Sequence, residues 1–328
     1  MIVLNINHTD YMQLLNDLST ALDIPCKQAG LLSLEPSAGT GFLKVVNLFD
    51  DVQVLMTNAC FAEGIIAVRP RSDDRHYILH FDDVLIKDVP AALKVDGEIL
   101  QKSNIRHAAA RLTSNVFVNT EEIPAGVDIK SIKILINERW LKKYMGLGET
   151  DDVLQKYLSL KTESFDIEQL DAEYLKLMDE LWTVQKDDPL QNIFIQNRIT
   201  LLIERFFTRL YNKASLLQDK FELSTNVINE LIKVEHLLVS DFSNMPPTIT
   251  EFSKMVSMSS TKLKKSFKIM YGDSLYSYYQ KQRLQKAKEL LLTGSYTIKQ
   301  TAVAIGYNNV ANFVLAFKKQ YNIEPGSL

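Results

Sequence analysis

Cysteine and histidine are scarce in this sequence of 328 residues, which contains two cysteines and five histidines. Cys26 and Cys60 are too few for a disulfide framework or for a four-thiolate zinc site, so we expect a reduced, cytoplasmic setting. No apolar run approaches the length of about 18 residues that spans a membrane. The N-terminus also lacks a basic stretch followed by an apolar one. The sequence therefore predicts neither a membrane span nor an export signal.

The motifs of common enzyme classes are missing as well. The sequence has no Gly-rich phosphate loop and no Gly-x-Ser-x-Gly segment that would support Ser/His/Asp catalysis. His76 and His80 would share one face of a regular strand, but the further ligands of a cupin metal site are not found. Two acidic pairs are interpreted as turn-end residues rather than as a paired acid and base, namely Asp73-Asp74 and Asp82-Asp83. We expect no catalytic residue, no metal ligand and no cofactor.

The overall net charge of −3 conceals an uneven distribution of charge. Residues 226–328 hold 13 basic and 7 acidic side chains, a net charge of +6. Residues 1–225 hold 24 basic and 33 acidic side chains, a net charge of −9. A basic C-terminal region on an acidic body indicates a polyanionic partner for that region alone.

The first part of the body alternates between helical and β-rich patterns. One helix is predicted near the N-terminus from the spacing of Tyr11, Leu14, Leu15, Leu18 and Leu22. From about residue 31 to residue 136, short β-rich runs are separated by Gly, Pro and Asp. These runs are Phe42–Asn47, Val52–Thr57, Gly64–Val68, His76–Phe81, Val84–Ile86, Asn115–Asn119 and Ile132–Ile136. Such spacing predicts an antiparallel sandwich or barrel.

After Glu138 the spacing of apolar residues becomes helical. One predicted helix carries Ile167, Leu170, Tyr174, Leu177 and Leu181, and a second carries Phe194, Leu201, Leu202, Phe206 and Leu210. Two adjacent amphipathic helices can pack on the β domain or form the seam of a dimer, and the pattern alone leaves both open.

The C-terminal region contains one helix–turn–helix pattern twice. Each copy opens with a Thr-x-x-Glu/Gln capping box, at Thr248 and at Thr297. A second N-cap follows, with large apolar residues four and eight positions later. These are Ser259, Leu263 and Phe267 in the first copy, and Asn309, Phe313 and Phe317 in the second. The capping boxes lie 49 residues apart and the apolar residues 50 apart, so the second turn is predicted to be one residue longer.

In the first copy, the residues between the apolar positions would face a DNA groove. Leu263, Phe267 and Met270 are predicted to be core. The residues predicted to contact DNA are Thr261, Lys262, Lys264, Lys265 and Lys268. Lysines at this spacing can reach base acceptors or phosphates, and the alternative is a solvated lysine face.

The second copy has a different outward face. Val310, Ala311, Val314 and Leu315 are apolar groups that can touch a thymine methyl but offer no hydrogen-bond code. Polar and phosphate contacts are left to Asn308, Asn309, Asn312, Lys318 and Lys319. We therefore expect the first copy to supply most of the sequence discrimination and the second mainly to anchor the protein.

These features resemble the AraC/XylS family of bacterial transcription regulators over about a hundred residues. The matching positions are Ser259, Leu263, Phe267-Lys268, Gly272, Arg283-Leu284, Ala287, Leu290-Leu291, Ile298, Ala302, Ile305-Gly306-Tyr307, Phe313, Phe317-Lys318-Lys319 and Pro325. The resemblance implies two helix–turn–helix modules bridged by a long helix, here Leu275 to Leu292. It also implies base-reading residues at Thr261, Lys264, Lys265, Val310, Ala311 and Leu315. Leu315 departs from the polar or arginine residue common at its position, and Asn322 replaces the usual Gly.

We therefore expect an α+β multidomain protein with four segments. These are a cupin-like antiparallel β-barrel at 1–137, a helical dimerisation segment at 138–214, a linker at 215–226 and an all-α domain with two helix–turn–helix modules at 227–328. The expected function is that of an effector-responsive activator that binds duplex DNA as a homodimer and acts with RNA polymerase. Two alternatives remain, a ligand-independent regulator whose β domain is only a dimerisation platform, and a cupin metalloenzyme fused to a DNA-binding domain.

Overall fold

Two β-sheets form most of the N-terminal part of the protein. The structure, a computed structural model, describes residues 1–6, 9–26, 28–49, 52–70, 72, 76–86, 92–95, 98–102, 106–115, 118–145, 168–183, 189–216, 223 and 225–328. The chain divides into two compact units; of the described residues, those up to 216 belong to the first and those from 223 onwards to the second. The domain boundaries expected from the sequence remain a prediction.

The strands, numbered along the chain, are β1 (Ile2–Asn5), β2 (Leu31–Ser33), β3 (Gly39–Asn47), β4 (Gln53–Phe61), β5 (Ile65–Arg69), β6 (His76–Ile86), β7 (Ala92–Val95), β8 (Glu98–Lys102), β9 (Arg106–Ser114), β10 (Asn119–Ile123), β11 (Val127–Asn137) and β12 (Glu168–Gln169). The larger sheet has the order β12-β9-β6-β11-β4-β3-β2, and the smaller one the order β1-β5-β10-β7-β8. Within the described strands, β1 pairs with β5 in parallel and the other pairs are antiparallel.

This arrangement confirms a β-rich N-terminal region but differs from the expected barrel. In the part of the chain that the structure describes, the strands form two separate sheets and do not close into one barrel. The parallel pairing of β1 with β5 also departs from the expected antiparallel pattern. The sequence missed β1 because its short run precedes a helix, and its partner lies about sixty residues away along the chain. A cupin-like relationship remains a prediction.

Two expectations about the strands were wrong. Asp82-Asp83 were interpreted as turn-end residues, yet β6 continues through them from His76 to Ile86. Aspartate is uncommon in strands, and the half-buried Asp82 is held there by a hydrogen bond from the Ser131 hydroxyl on the neighbouring strand. Asn115–Asn119 was predicted as a strand, but Asn115 and Val118 lie in the connection between β9 and β10. Asp73-Asp74 lie outside the described residues.

Helices cover the sheets of the first unit. They are α1 (Tyr11–Leu22), α2 (Glu138–Met145), α3 (Ala172–Trp182) and α4 (Gln191–Leu216). Asp10 caps α1, whose apolar face is buried as its spacing predicts. The rings of Tyr174 on α3 and Phe206 on α4 pack against Phe81 of β6, with centroids 5.5 Å and 6.5 Å away. This face of the two helices therefore belongs to the core of the unit.

The second unit is helical. Its helices are α5 (Thr225–Val239), α6 (Ile249–Met255), α7 (Ser260–Tyr271), α8 (Leu275–Leu292), α9 (Ile298–Ala304) and α10 (Val310–Tyr321), followed by a short 3-10 turn at Pro325–Ser327. The bounds of α8 are those expected from the sequence, because Ser274 caps its start and Gly294, at φ 68°, follows its end. Among the described helices of the chain, none is both long and apolar enough to cross a membrane.

Candidate nucleic-acid interface

The first helix pair, α6 and α7, begins with a reciprocal cap. The Thr248 hydroxyl accepts a hydrogen bond from the Glu251 amide, and the Glu251 carboxylate accepts one from the Thr248 amide. These bonds satisfy two amides that a helix start leaves free, and the second also lowers the pKa of Glu251. The small, buried Ser253 lets α7 approach until the hydroxyls of Ser253 and Ser260 are 2.9 Å apart. The cap and the small residue together fix where α7 lies.

One side of α7 is fully buried. The hydroxyl of Ser259 caps the start of the helix, and Gly272 ends it in the left-handed conformation, at φ 74°. Between these caps, Leu263, Phe267 and Met270 are each 0% exposed, as the sequence predicts. Because the core holds these three residues, the orientation of the opposite side of α7 is fixed.

That opposite side is exposed and basic, and we call it the lysine face. It consists of Thr261, Lys262, Lys264, Lys265 and Lys268, all exposed. Within the described residues, the side chains of Lys262, Lys264 and Lys268 form no ion pair or hydrogen bond. Their ammonium groups can therefore meet phosphates or base edges without first breaking an interaction. Contact between these five residues and DNA stays a prediction.

The second pair, α9 and α10, repeats the construction. Thr297 and Gln300 form the same reciprocal cap, and the Asn309 side chain accepts hydrogen bonds from the amides of Ala311 and Asn312. Phe313 and Phe317 are 0% exposed. Residues 305–309 connect the helices, against 256–259 in the first pair, so the second turn is one residue longer, as predicted.

The outer side of α10 carries little free charge. Asn308, Ala311 and Asn312 are exposed, and Leu315 is 66% exposed. Val310 and Val314, predicted to face outward, are only half-exposed because they pack against the core of this pair. Asn309 uses its side-chain oxygen as a cap, and Lys318 pairs with Glu324 at 2.6 Å. The exposed polar groups left to this helix are therefore mainly the Asn308 and Asn312 amides and Lys319.

Arg283 on α8 holds the second turn in place. Its Nε donates a hydrogen bond of 2.5 Å to the carbonyl of Ile305, and its guanidinium lies 3.8 Å from the ring centroid of Tyr307. Tyr307 also donates a hydrogen bond of 3.2 Å to Gln280 of α8, and burial raises the pKa of its phenol. These contacts attach the turn to α8, so α8 sets the position at which α10 begins.

The sequence predicts which face of α7 is exposed, but it does not predict the contacts between Arg283 and the second turn. Periodicity alone separates Leu263 and Phe267 from the lysines between them. Arg283 and Tyr307 were noted only as positions shared with a family, and nothing in their spacing predicts that they touch. The signal that could have found them is the presence of an arginine and a tyrosine, since a guanidinium is attracted to the face of a tyrosine ring.

Comparisons with known proteins agree with this geometry. A family model described as a helix-turn-helix domain matches residues 252–328. The HTH-type transcriptional regulator MtrA of Neisseria gonorrhoeae is 30% identical over 92 residues, which are 27% of this chain and 31% of that protein. The HTH-type transcriptional regulator AlkR of Acinetobacter baylyi is 30% identical over 84 residues, 26% of this chain and 28% of that protein. These matches support the resemblance of the C-terminal domain to AraC/XylS-type regulators.

A solved structure of a probable AraC family transcriptional regulator from Rhodopseudomonas palustris is also similar. It is 25% identical, covers 30% of this chain and 93% of that one, and has a TM-score of 0.28. The chain spans less than a third of the length of the two curated regulators that it matches. Helix-turn-helix domains of this type bind DNA, so the match supports DNA as a partner of the C-terminal unit.

Proposed function

We propose that the chain is a sequence-specific transcription regulator that inserts α7 and α10 into adjacent major grooves of one duplex. The lysine face carries this proposal, because its side chains are exposed while Leu263 and Phe267 are fully buried beneath them. Adjacent major grooves on one side of B-DNA lie about 34 Å apart. With α8 as the spacer, one chain would read an asymmetric site, and a palindrome is not required.

The proposal extends to the N-terminal unit. There the two sheets, proposed to be cupin-like, would bind a small-molecule effector, and α3 and α4 would contribute to a homodimer. The expected setting is the cytoplasm, and the expected action is activation of transcription with RNA polymerase. An effector can shift DNA binding only if it favours the DNA-competent arrangement of the protein over the other arrangement.

Two other functions compete with this proposal. In the first, the N-terminal unit binds nothing and serves only as a dimerisation platform. The second is a metalloenzyme fused to the DNA-binding domain, and it has less support. His80 is buried and its Nε2 is engaged with the Thr113 hydroxyl at 2.8 Å. In the described segments, no group of three or more His, Cys, Asp or Glu side chains is arranged to hold a metal ion.

A salt titration of DNA binding tests the proposal. The full chain would first select its site from a pool of random duplexes, and its affinity for that site would be measured from low to high salt. Replacing Lys262, Lys264 and Lys268 together with alanine should lower the steepness of the salt dependence by about 3 and the affinity by roughly 100-fold at moderate salt.

The matched control makes the same change of net charge elsewhere. Lys130, Lys142 and Lys176 are exposed residues of the N-terminal unit, and their joint replacement with alanine should leave the salt dependence nearly unchanged. If both triple variants lose affinity equally, the lysine face has no special role. If the unmodified chain ignores duplex DNA even in dilute buffer, the proposed function itself is wrong.

A further inference from the structure

A cavity of about 110 Å³ lies inside the N-terminal unit, between the two sheets and α1. Most of its wall is apolar, with Leu14, Phe61 and Ile129 among the residues that line it. Charged side chains from both sheets meet in the same cavity, namely Arg69, Asp82, Arg111, Glu121 and Lys133. Apolar walls with a few convergent polar groups are the usual make-up of a small-molecule site.

Three basic residues lie side by side on adjacent strands of the larger sheet. Lys133 of β11 is the cross-strand neighbour of His80 of β6, and His80 is the neighbour of Arg111 of β9. Neighbours in one row of a sheet share a face, and all three side chains line the cavity. His80 and Arg111 are only 2% and 4% exposed. Buried charge of this kind requires compensation.

Two carboxylates supply part of that compensation. Glu121, from β10 of the smaller sheet, accepts hydrogen bonds of 2.5 Å from Arg111 and from Lys133. Burial alone would raise the pKa of Glu121, but Lys133 and Arg111 hold it well below its ordinary value, so the group is ionised. Asp82 lies 3.5 Å from Arg111 Nε and accepts a hydrogen bond of 2.5 Å from the Ser131 hydroxyl.

Counted over the described residues that line the cavity, one positive charge remains in excess. The cations that line the cavity are Arg69, Arg111 and Lys133, and the anions are Asp82 and Glu121. Burial lowers the pKa of His80 well below its ordinary value, so His80 is neutral and adds no charge. Arg69, on β5, forms no ion pair with any residue that the structure describes. Among the described residues, the excess charge therefore lies on Arg69, which pairs with no described carboxylate.

Several buried polar atoms in the wall lack hydrogen-bond partners among the described residues, including Nε of Arg69, Nδ1 of His80 and the hydroxyl of Tyr11. Nδ1 of His80 lies 3.6 Å from the Glu121 carboxylate, which is beyond hydrogen-bonding distance. The phenol of Tyr11 lines the same cavity, and burial raises its pKa, so it keeps its proton and can donate. An unpaired buried polar atom is destabilising, so a ligand that bonds to these groups gains affinity.

We propose that this cavity binds a small carboxylate with a short aliphatic or single-ring body. The carboxylate would lie against Arg69, within reach of Tyr11 and His80, and would neutralise the excess charge. The apolar wall would cover the rest of the ligand. A sugar would bury its hydroxyl groups against that wall without partners, and an uncharged apolar ligand would leave Arg69 unpaired.

The volume limits the size of the ligand. A cavity of about 150 Å³ in another protein holds a benzene molecule. The present cavity of about 110 Å³ is somewhat smaller, so it suits a body of at most about five or six carbons. Hexanoate and benzoate are therefore the probes of choice, and decanoate is the probe that should be too long.

This inference deepens the proposed function, since the cavity would be the effector site of the regulator. The two can fail separately, because ligand binding is measured on the full chain without DNA. Calorimetric titration and thermal melting would compare hexanoate and benzoate with hexanamide and benzamide, which have the same shape without the charge. We expect each acid to bind at least 10-fold more tightly than its amide. Equal affinity, or no binding of either acid at millimolar concentration, overturns the proposal.

A substitution tests the role assigned to Arg69. Arg69→Gln should weaken binding of both acids at least 10-fold and leave the amides unchanged, whereas Arg139→Gln, at an exposed site on α2, should change neither. If Arg69→Gln proves unstable, Arg69→Lys keeps the charge and should keep the preference for acids over amides. Undiminished acid binding by a well-folded Arg69→Gln variant would show that the excess charge does not select the ligand.

Discussion

The two helix pairs of the C-terminal unit share their buried side and differ on their exposed side. Phe267 in α7 and Phe317 in α10 occupy equivalent positions and are both 0% exposed. The outer side of α7 presents four lysines, whereas that of α10 presents Leu315 at 66% exposure and a lysine paired with Glu324. The two helix pairs thus have equivalent cores, whereas the exposed sides of α7 and α10 differ enough to support different roles.

The turns differ as well, and for a physical reason. Gly306 and Ser257 each follow the first residue after a helix, with φ 73° and φ 50°. A Cβ added at Gly306 would lie 2.3 Å from the carbonyl oxygen of Phe242, so a side chain does not fit. Ser257 is exposed in the same left-handed region. The second turn is therefore packed against the loop after α5, and the first is constrained less.

The largest effect should come from the buried side, where the two pairs are alike. Phe267→Ala and Phe317→Ala each remove a fully buried ring, and each should lower the free energy of unfolding by about 3–5 kcal/mol. Urea denaturation of the full chain, followed by the signal of the C-terminal unit, measures both. A difference of more than about 2 kcal/mol between the two variants would show that the pairs are not equivalent in their cores.

The turns should respond unequally. Gly306→Ala places an alanine in the left-handed conformation and brings its Cβ too close to the Phe242 carbonyl. We therefore expect the free energy of unfolding to fall by about 2 kcal/mol or more. Ser257→Gly removes a serine from the left-handed conformation but adds conformational freedom to the unfolded chain. The free energy of unfolding should therefore change by no more than about 1 kcal/mol. The same denaturation curves measure both variants. Tolerance of alanine at position 306 would contradict the close approach to Phe242.

The exposed faces should differ in how they read DNA. If α7 discriminates and α10 anchors, replacing single base pairs beneath α7 should cost about 1–3 kcal/mol of binding free energy each, and clearly less beneath α10. Competition binding with every single-base variant of the selected site measures this. Equal losses in both grooves would mean that Ala311, Asn312 and Leu315 read bases as effectively as the lysines do.

The helical unit could be predicted from the sequence because its signals are local. Capping residues such as Thr248, Ser259 and Asn309 act within three residues of their own position, so they fix helix starts and the length of each turn. The contact of Arg283 with Tyr307 joins α8 to the second turn, and local spacing does not predict it.

The N-terminal unit was harder to predict because its determinants are distant in sequence. β1 pairs with β5, and Glu121 meets Arg111 and Lys133 across two sheets. Asp82 resembles a turn residue in isolation, and its place inside a strand is explained by its bond from Ser131 and its ion pair with Arg111. A charged cluster in a cavity cannot be inferred from alternation of polar and apolar residues, since alternation predicts that charged side chains face solvent.

The smallest effect should come from the ends of the two recognition helices. Gly272 ends α7 at φ 74°, and Asn322 ends α10 at φ 57°. Asparagine tolerates the left-handed conformation less well than glycine does. Asn322→Gly should therefore stabilise the protein by a few tenths of a kcal/mol, up to about 1 kcal/mol. Gly272→Asn should destabilise it by a similar amount. Thermal melting of the two single variants and the double variant measures the exchange. The double variant should sum the single effects, and a clear departure from additivity would mean that α8 couples the two pairs.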